Sequence, residues 1–135
     1  RNSMMRQFIR QWGAYIRRRR GMSDCLFCRI ASGTVPTSFV YEDDQVVAFN
    51  DIDPKAPVHV VIIPRQHVTT VADLGSDPEG VMSKLTRAAN KVARDRGVNL
   101  SGYRLVVNCQ ADGGQSVFHL HMHLLGGRRM SWPPG

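Results

Sequence analysis

Residues 113–127 read Gly-Gly-Gln-Ser-Val-Phe-His-Leu-His-Met-His-Leu-Leu-Gly-Gly. Three of the chain's five histidines occupy alternate positions in this stretch, at His119, His121 and His123. Successive side chains on a strand point to opposite faces, so a strand over 117–125 would place the three imidazoles on one face. The other face would carry an apolar, core-facing stripe of Phe118, Leu120, Met122 and Leu124. Exposed strand faces are normally mixed in composition, and three imidazoles together therefore indicate a functional site.

A glycine-rich loop precedes the histidines. Gly113 and Gly114 carry no side chain that would block a ligand, and Gln115 and Ser116 lead from them into the strand. Two chemistries remain open from the residues alone. Three neutral imidazoles could bind a catalytic zinc ion, or one imidazole could attack phosphorus while the loop N–H groups hold the phosphate oxygens. The loop favours the second, because a zinc hydrolase needs no phosphate cradle beside its ligands.

The residues around the histidines resemble a known family. Residues 114–123, Gly-Gln-Ser-Val-Phe-His-Leu-His-Met-His, are similar to the motif of the histidine triad (HIT) superfamily. Residues 125–135, Leu-Gly-Gly-Arg-Arg-Met-Ser-Trp-Pro-Pro-Gly, resemble the C-terminus of its Hint branch of nucleotide-binding proteins. The resemblance extends from about Cys25 to Gly135. It implies the α+β HIT fold, a five-stranded antiparallel sheet with one long and one short helix, and a homodimer in which the two sheets join.

The resemblance also implies a reaction and the residues that perform it. The reaction is hydrolysis of adenosine 5′-phosphoramidates, in which AMP is joined to an amine or a lysine, through an adenylated histidine. His121 matches the nucleophile, His123 the residue that contacts the phosphate and assists the leaving group, and His59 the fourth histidine of the pocket. His119 is the first triad histidine. Gly114, Gln115 and Ser116 match the phosphate-holding segment, and no catalytic metal is then required.

A purine nucleotide, AMP or GMP, is the partner that the family implies. Asp51 matches the acceptor of both ribose hydroxyls, although a turn aspartate before Pro54 is the plain alternative. The other matching positions are Ile52 over the base, Phe27, Ile30 and Phe49 around the purine, Asn108 at the sugar–phosphate, and Trp132 in a tail near the partner's site. In any globular chain, however, residues such as Phe27, Ile30 and Phe49 are more often part of the ordinary core. Ser131 departs from the histidine that close relatives often carry, which puts the leaving-group preference in doubt.

A second cluster predicts structural zinc. Cys25 and Cys28 have the two-residue spacing of a zinc knuckle. In some HIT proteins cysteines and histidines at matching places bind zinc, and by that resemblance His67 and His119 would complete the set. The alternative is two reduced cysteines at the start of a helix, with His67 in a loop. Cys109 lies in an apolar run and is predicted to be an inert strand residue.

The net charge is confined to one end of the chain. Residues 1–22 hold seven of the 18 basic residues, all arginine, and no acid, which accounts for the whole net charge of +7. Residues 23–135 carry 11 basic and 11 acidic side chains, so nothing indicates a nucleic-acid partner for that part. No apolar run approaches the roughly 20 residues that span a bilayer, so no membrane partner is expected.

Two segments are predicted from this division. Residues 1–22 form an Arg-rich leader, in which Arg1-Asn2-Ser3 resembles a tag remnant and the rest an amphipathic helix. An acid-free, Arg-rich amphipathic helix is typical of a mitochondrial presequence, so the protein is expected in the cytoplasm or in mitochondria. Residues 23–135 are predicted to form the HIT domain.

The remaining pattern predicts where the elements lie. A short helix is expected from Cys25 to about Ser32, with strands over 38–41, 46–50, 58–63, 103–109 and 117–125. A capping box of Ser76 and Glu79 should begin a long helix that ends at Gly97. Its apolar face would be Val81, Met82, Leu85, Ala88, Ala89, Val92 and Ala93. One long helix between the third and fourth strands implies an antiparallel α+β sheet.

Two other functions fit the same residues. A nucleotide-binding regulatory module could keep the site and act through partners, although an intact His121 and Ser116 count against this. A dinucleoside polyphosphate hydrolase belongs to a neighbouring branch of the superfamily, and the Trp-Pro-Pro-Gly ending argues against it.

Overall fold

The computed structural model describes residues 24–135. Within these residues the fold consists of two α-helices and five strands. The helices are α1 (Leu26–Ala31) and α2 (Val81–Asp95). The strands are β1 (Tyr41–Glu42), β2 (Val46–Asn50), β3 (Val58–Pro64), β4 (Tyr103–Val106) and β5 (Met122–Gly126), and a short 3-10 helix spans Val71–Leu74. The predictions for residues 1–22 lie outside the described residues.

All five strands form one antiparallel sheet in the order β1-β2-β3-β5-β4. β3 is the central strand, and all seven of its residues are buried. It pairs with β5 in a register that sets His59 opposite Leu125 and Val61 opposite His123. The predicted fold class, an antiparallel sheet with one long and one short helix, is therefore confirmed, and the register brings a β3 histidine close to the triad.

The buried β3 separates two apolar cores. Alternate β3 residues, Val58, Val60 and Ile62, face α2, and Val61 and Ile63 face α1. The predicted stripe joins the α2 core through Leu120, Met122 and Leu124. Phe118 was expected in that stripe, but its side chain is 48% exposed. The histidines alternate with the stripe, and they accordingly lie on the α1 side of the sheet, where Phe27 packs against two of their rings.

α2 begins later than the sequence predicts. The expected capping box of Ser76 and Glu79 is wrong, because Gly80 is left-handed (φ 65°) and the helix starts at Val81. The cap is Asp77, whose carboxylate accepts the N–H groups of Val81 and Met82 at 2.8 and 3.0 Å. The predicted apolar face is confirmed, since five of its seven residues are buried and the other two pack against the same core.

Three strands are shorter than predicted. The first is Tyr41–Glu42 rather than 38–41, and β4 ends at Val106 rather than at Cys109. Cys109 is therefore not a strand residue, and it is half-buried three positions beyond the end of β4. The last strand covers Met122–Gly126 instead of 117–125. Among residues 24–135, no helix has the length and apolar character that a membrane crossing requires.

Candidate active site

The three triad histidines lie at and just before the start of β5. His119 and His121 precede the strand and are buried, and His123, its second residue, is half-buried. They hold the predicted alternation although only His123 is in the sheet ladder. Leu120 lies between the first two, and its N–H donates to the carbonyl of Val68 at 2.6 Å. A loop contact therefore replaces the missing sheet pairing and keeps the rings on one side.

The tautomer of His121 is determined by the main chain. Its Nδ1 lies 2.8 Å from the carbonyl oxygen of His119. A carbonyl can only accept, so Nδ1 carries the proton and Nε2 has a free lone pair. Among the described residues that Nε2 is buried without a hydrogen-bond partner. Burial lowers the pKa of His121, although the His119 carbonyl opposes the shift. His121 is thus neutral and offers a nucleophilic nitrogen.

His59 and His123 form a second fixed pair. The N–H of Lys55 donates to Nδ1 of His59 at 3.0 Å, so the His59 proton is on Nε2. That Nε2–H donates to Nδ1 of His123 at 2.9 Å, which leaves the His123 proton on its own Nε2. Burial, followed by the neighbouring His121 and His59, lowers the pKa of His123 to about 3. His123 is therefore a neutral donor, the opposite of His121.

Asp51 lies beside this pair and is itself buried. Its Oδ1 accepts the N–H of Asp53 at 2.8 Å, the bond expected of a turn aspartate. Its Oδ2 is 3.4 Å from Nε2 of His59, but that proton is directed at His123. Within residues 24–135 this Oδ2 is a buried acceptor without a hydrogen bond. Burial raises the pKa of Asp51, and a donor from a ligand hydroxyl would satisfy the free oxygen.

The glycine-rich loop is held by a glutamine side chain. Gln115 is buried, and its amide donates to the carbonyls of Thr69 and Val117 at 2.8 and 3.1 Å. Its Oε1 accepts the N–H of Gln110 at 2.9 Å. Gly113 permits the tight turn, since a Cβ there would lie 2.4 Å from the carbonyl oxygen of Cys109. The side chain of Gln115 is thus committed to shaping the loop, as are the N–H groups of Gly114 and Gln115, which donate to the carbonyls of Ala111 and Gln110 at 3.0 and 3.1 Å.

The other predicted nucleotide-binding residues lie in three environments. Phe27, Ile30 and Phe49 are completely or almost completely buried in the α1 core, and Phe27 packs edge-on against His121 at 5.2 Å between ring centroids. Ile52 is half-buried against the same core. Ser116 and Asn108 are half-buried in the segment between β4 and β5, and Trp132 is 82% exposed in the tail. Contact of these residues with a purine nucleotide stays a prediction.

The predicted metal ligands come together. Cys25, Cys28, His67 and His119 each place a ligand atom within 4.8 Å of the others. His119 donates from Nε2 to the carbonyl of Pro64 at 2.8 Å, so its Nδ1 lone pair faces the two sulfurs, at 3.3 and 3.5 Å. Nδ1 of His67 is 3.3 Å from Sγ of Cys28. Two cysteines and two histidines are a donor set that suits tetrahedral zinc, and the group can hold a metal ion.

The three triad rings do not converge on one point, which argues against a zinc ion held by all three. His119 is directed to the cysteines, His121 to the main chain, and His123 to His59. Of the two groups of potential metal ligands in the described part of the chain, one contains His119, the other contains His123 with Asp51 and His59, and neither contains His121. The arrangement suits nucleophilic attack by His121 better than a three-histidine metal centre.

Comparison with known proteins identifies the family. The HIT domain family model matches residues 32–130. The chain belongs to the HIT family. It is 43% identical over 105 residues to the purine nucleoside phosphoramidase of Escherichia coli K12, and the aligned region covers 78% of this chain and 88% of that protein. It is also 43% identical over 112 residues to an uncharacterized HIT-like protein of Synechocystis, covering 83% of this chain and 97% of that protein.

Solved structures agree with this assignment. A HIT family hydrolase from Legionella pneumophila superposes with a TM-score of 0.80 and 47% sequence identity, over 83% of this chain and 100% of that chain. A histidine triad protein from Clostridium difficile gives a TM-score of 0.78 and 41% identity, over 82% of this chain and 96% of that chain. The resemblance inferred from the triad and the tail is confirmed.

Some residues of this HIT site are not indicated by the sequence pattern. Lys55 acts through its main-chain N–H, a group that every residue except proline possesses. Gln115 matches the phosphate segment, yet its side chain holds the loop. Main-chain contacts of this kind have no residue signature, so only the fold reveals them.

Proposed function

We propose that this HIT protein hydrolyses purine nucleoside phosphoramidates, with His121 as the nucleophile. The observation that carries the proposal is the pair of opposite tautomers in the triad. His121 presents a buried Nε2 lone pair, and His123 two residues away presents an Nε2–H. An attacking nitrogen beside a hydrogen-bond donor is the arrangement required for displacement at a phosphorus whose oxygens gain charge. The identity to the E. coli purine nucleoside phosphoramidase supports the same substrate class.

The reaction would proceed in two displacements. Nε2 of His121 attacks the α-phosphorus, a P–N bond to His121 forms, and the P–N bond to the amine breaks. The amine leaves with the electron pair of that bond and takes a proton from a water molecule, since a protonated nitrogen is a good leaving group. The same water, having given up its proton, attacks the phosphorus of the adenylated histidine. The P–N bond to His121 then breaks, its electron pair returns to Nε2, and AMP is released. The proton on Nδ1 of His121 stays hydrogen-bonded to the His119 carbonyl, which stabilises the positive ring during attack.

Neighbouring groups would stabilise the phosphate charge. His123 would donate from Nε2, and Ser116, at the end of the loop, would supply a hydroxyl donor. The positive φ of Gly114, 78°, shapes the turn in which the N–H groups of Gly114 and Gln115 donate to the carbonyls of Ala111 and Gln110 at 3.0 and 3.1 Å. Preorganised donors need no reorganisation during the reaction, so a catalytic metal ion is not required by this proposal.

Asp51 supports a nucleotide as the bound group. Its Oδ2 is a buried acceptor that lacks a hydrogen bond within the described residues. A ribose hydroxyl would donate to it and remove the cost of an unsatisfied buried carboxylate, which is typically about 1–3 kcal/mol or more. Ile52, adjacent and half-buried against the α1 core, would then lie near the sugar or base.

The Cys25–Cys28–His67–His119 group is proposed to bind structural zinc. All four ligand positions would be provided by protein, so the ion would be closed to substrate. When bound, zinc would stabilise the link between α1 and the segment before β5, and it would take no part in phosphoryl transfer. The Nε2–H bond of His119 to Pro64 orients the ring for this role.

The proposal is tested with His121→Ala and a matched phosphoramidate assay. Loss of a nucleophile should lower kcat on adenosine 5′-phosphoramidate by on the order of 10⁴ or more. Rapid quench and mass spectrometry of the wild type should show AMP attached to His121. The same assay with diadenosine polyphosphate separates the neighbouring activity and should give much slower turnover. A competent adduct at another residue, or normal turnover by His121→Ala, would contradict the mechanism.

A further inference from the structure

A chain of contacts connects the C-terminal segment to the donor histidine. Arg128 lies two residues beyond the end of β5. Its Nε–H and Nη2–H both donate to the carbonyl oxygen of Lys55, at 3.2 and 3.0 Å. The N–H of the same Lys55 bonds Nδ1 of His59 at 3.0 Å. Both peptide groups that flank the Cα of Lys55 are therefore held, one by Arg128 and the other by His59.

The surrounding contacts bring these two segments together. A Cβ on Gly127 would lie 2.9 Å from Cβ of Pro57, so the turn after β5 packs closely on the end of the 51–57 segment. Nη1 of Arg128 also donates to the carbonyl of Arg129 at 3.1 Å, which orients the guanidinium. The 51–57 segment lies between β2 and β3, outside the sheet ladder. The geometry of the 51–57 segment therefore depends on individual contacts such as the hydrogen bonds from Arg128 to Lys55.

We propose that Arg128 is a positioning residue for the reaction, and that it fixes the tautomers of His59 and His123 through the main chain of Lys55. As long as Lys55 N–H donates to Nδ1 of His59, the His59 proton must be on Nε2, and Nδ1 of His123 must accept it. The proton of His123 then stays on the Nε2 that would face the phosphate. The role in turnover rests on the proposed phosphoramidase function, whereas the tautomers do not.

Loss of the Arg128 contacts to Lys55 would exchange donor and acceptor in the hydrogen bond between His59 and His123. If Lys55 N–H moves away, His59 can carry its proton on Nδ1 and present a lone pair at Nε2. His123 would then carry its proton on Nδ1 and donate to His59. Each ring remains neutral with one proton, but Nε2 of His123 changes from donor to acceptor. A lone pair beside a phosphate oxygen repels it, so transition-state stabilisation would be lost.

The test compares Arg128→Ala with Arg129→Ala. Arg129 is a neighbouring exposed arginine, and only its carbonyl, not its side chain, contacts Arg128. Arg128→Ala should lower kcat by about fivefold to tenfold with KM within about twofold, the loss expected of one solvent-exposed bidentate contact. Arg128→Lys should recover part of the loss, because one ammonium can still donate to the Lys55 carbonyl. Arg129→Ala should behave as wild type.

A spectroscopic measurement tests the tautomers without any substrate. Long-range ¹H–¹⁵N spectra of the imidazole rings should show His59 and His123 as Nε2–H tautomers in wild type and in Arg129→Ala. In Arg128→Ala a substantial Nδ1–H population should appear on both rings. If Arg128→Ala does not fold, Arg128→Lys should show the same change to a smaller extent.

Two results would overturn the inference. One is a wild-type tautomer pattern in Arg128→Ala, or in Arg128→Lys if only that variant folds, whatever the turnover. The other is an equal loss of kcat in the Arg128 and Arg129 variants, which would indicate a general charge effect. If wild type hydrolyses no phosphoramidate, the proposed function fails, and the imidazole spectra alone then decide whether Arg128 sets the tautomers.

Discussion

The chemistry of the triad depends on main-chain partners. The His119 carbonyl leaves the lone pair of His121 on Nε2, and the Lys55 N–H, acting through His59, leaves the proton of His123 on Nε2. Main-chain groups do not titrate, so these assignments persist over a wide pH range. Rings that are buried and fixed in this way are preorganised for one step of a reaction, which offsets the cost of removing them from water.

Activity should be insensitive to pH where a free imidazole titrates. An exposed histidine has a pKa of about 6.5, whereas burial lowers the pKa of His121 and lowers that of His123 to about 3. The neutral forms that the mechanism needs therefore persist below neutral pH. We expect kcat/KM to vary less than about twofold between about pH 7.5 and about pH 5.5. A half-maximal point near the free imidazole pKa would contradict this.

Stability, unlike activity, should depend on pH. In the unfolded chain His123 takes up a proton as the pH falls through about 6.5, while in the folded chain its pKa is about 3. The unfolded state thus binds more protons between these values, and the fold loses stability as the pH falls from about 6.5 toward about 3. Thermal melts over this range should show a falling Tm. Above the unfolded pKa His123 contributes no such slope.

At the scale of elements, α1 is attached to the sheet by the Cys/His group as well as by its apolar face. Phe27 and Ile30 pack in the α1 core, and Cys25 and Cys28 lie on the same helix turn near His119. α1 has only six residues, so its position depends on such tertiary contacts rather than on helix propensity.

Purified protein is expected to hold about one zinc ion per chain. The double variant Cys25→Ser, Cys28→Ser should lose the ion and melt at lower temperature, because two of its four ligands are gone. It should retain turnover, because His121 bonds the main chain of His119 and not its ring. Cys109→Ser is the matched control, since Cys109 lies outside the group. Zinc-free wild type with an unchanged Tm would contradict the proposal, as would wild-type zinc content in the double variant.

The elements were predictable where side-chain periodicity determines them. The apolar face of α2 and the buried β3 follow from their spacing, and the alternation at His119, His121 and His123 is real. The residues at which these elements begin and end were not predictable. The alternation continues upstream of β5 although the backbone there bonds Val68 and not a strand, and Asp77 caps α2 from a turn that Gly80 closes. Hydrogen-bond partners distant in sequence decide these boundaries, and they leave no periodic signal.

The site was predictable to a similar extent. The triad, His59 and the four potential metal ligands come together as their spacing and the family resemblance indicated. The tautomers were not predictable, because they depend on where the carbonyl of His119 and the N–H of Lys55 point. The burial of Phe27 against His121 likewise required the packing of α1.

At the scale of the whole molecule, we propose a homodimer. Residues after β5 extend to Gly135 without further strand or helix, and Trp132 is 82% exposed there. Arg104 of β4, at the edge of the sheet, donates to the carbonyl of Ser131 at 2.8 Å and ties the tail to that edge. A large exposed indole beside an edge strand is a surface that a second copy would cover. Light scattering at micromolar concentration should give roughly 30 kDa, twice the mass of one chain, and a monomer mass would contradict this.

The leader should be dispensable for chemistry. Every residue of the proposed site lies after Met22, and the family match begins at residue 32. A chain that starts at Met22 is expected to keep kcat and KM within about threefold of the full-length values. A larger loss would mean that residues 1–21 shape the pocket or the dimer. Targeting to mitochondria is a separate hypothesis, and a fluorescent fusion of residues 4–22 that remains in the cytosol would contradict it.

The exposed tail also gives the molecule a built-in optical reporter. The chain has two tryptophans, Trp12 in the leader and Trp132 in the tail. Once the leader is removed, all indole emission comes from Trp132, which is 82% exposed in a single chain. Its emission maximum should shift to the blue as concentration rises and a second copy covers the ring, and to the red on dilution. Quenching by iodide should fall in parallel, so a simple titration in a fluorimeter would follow subunit association directly.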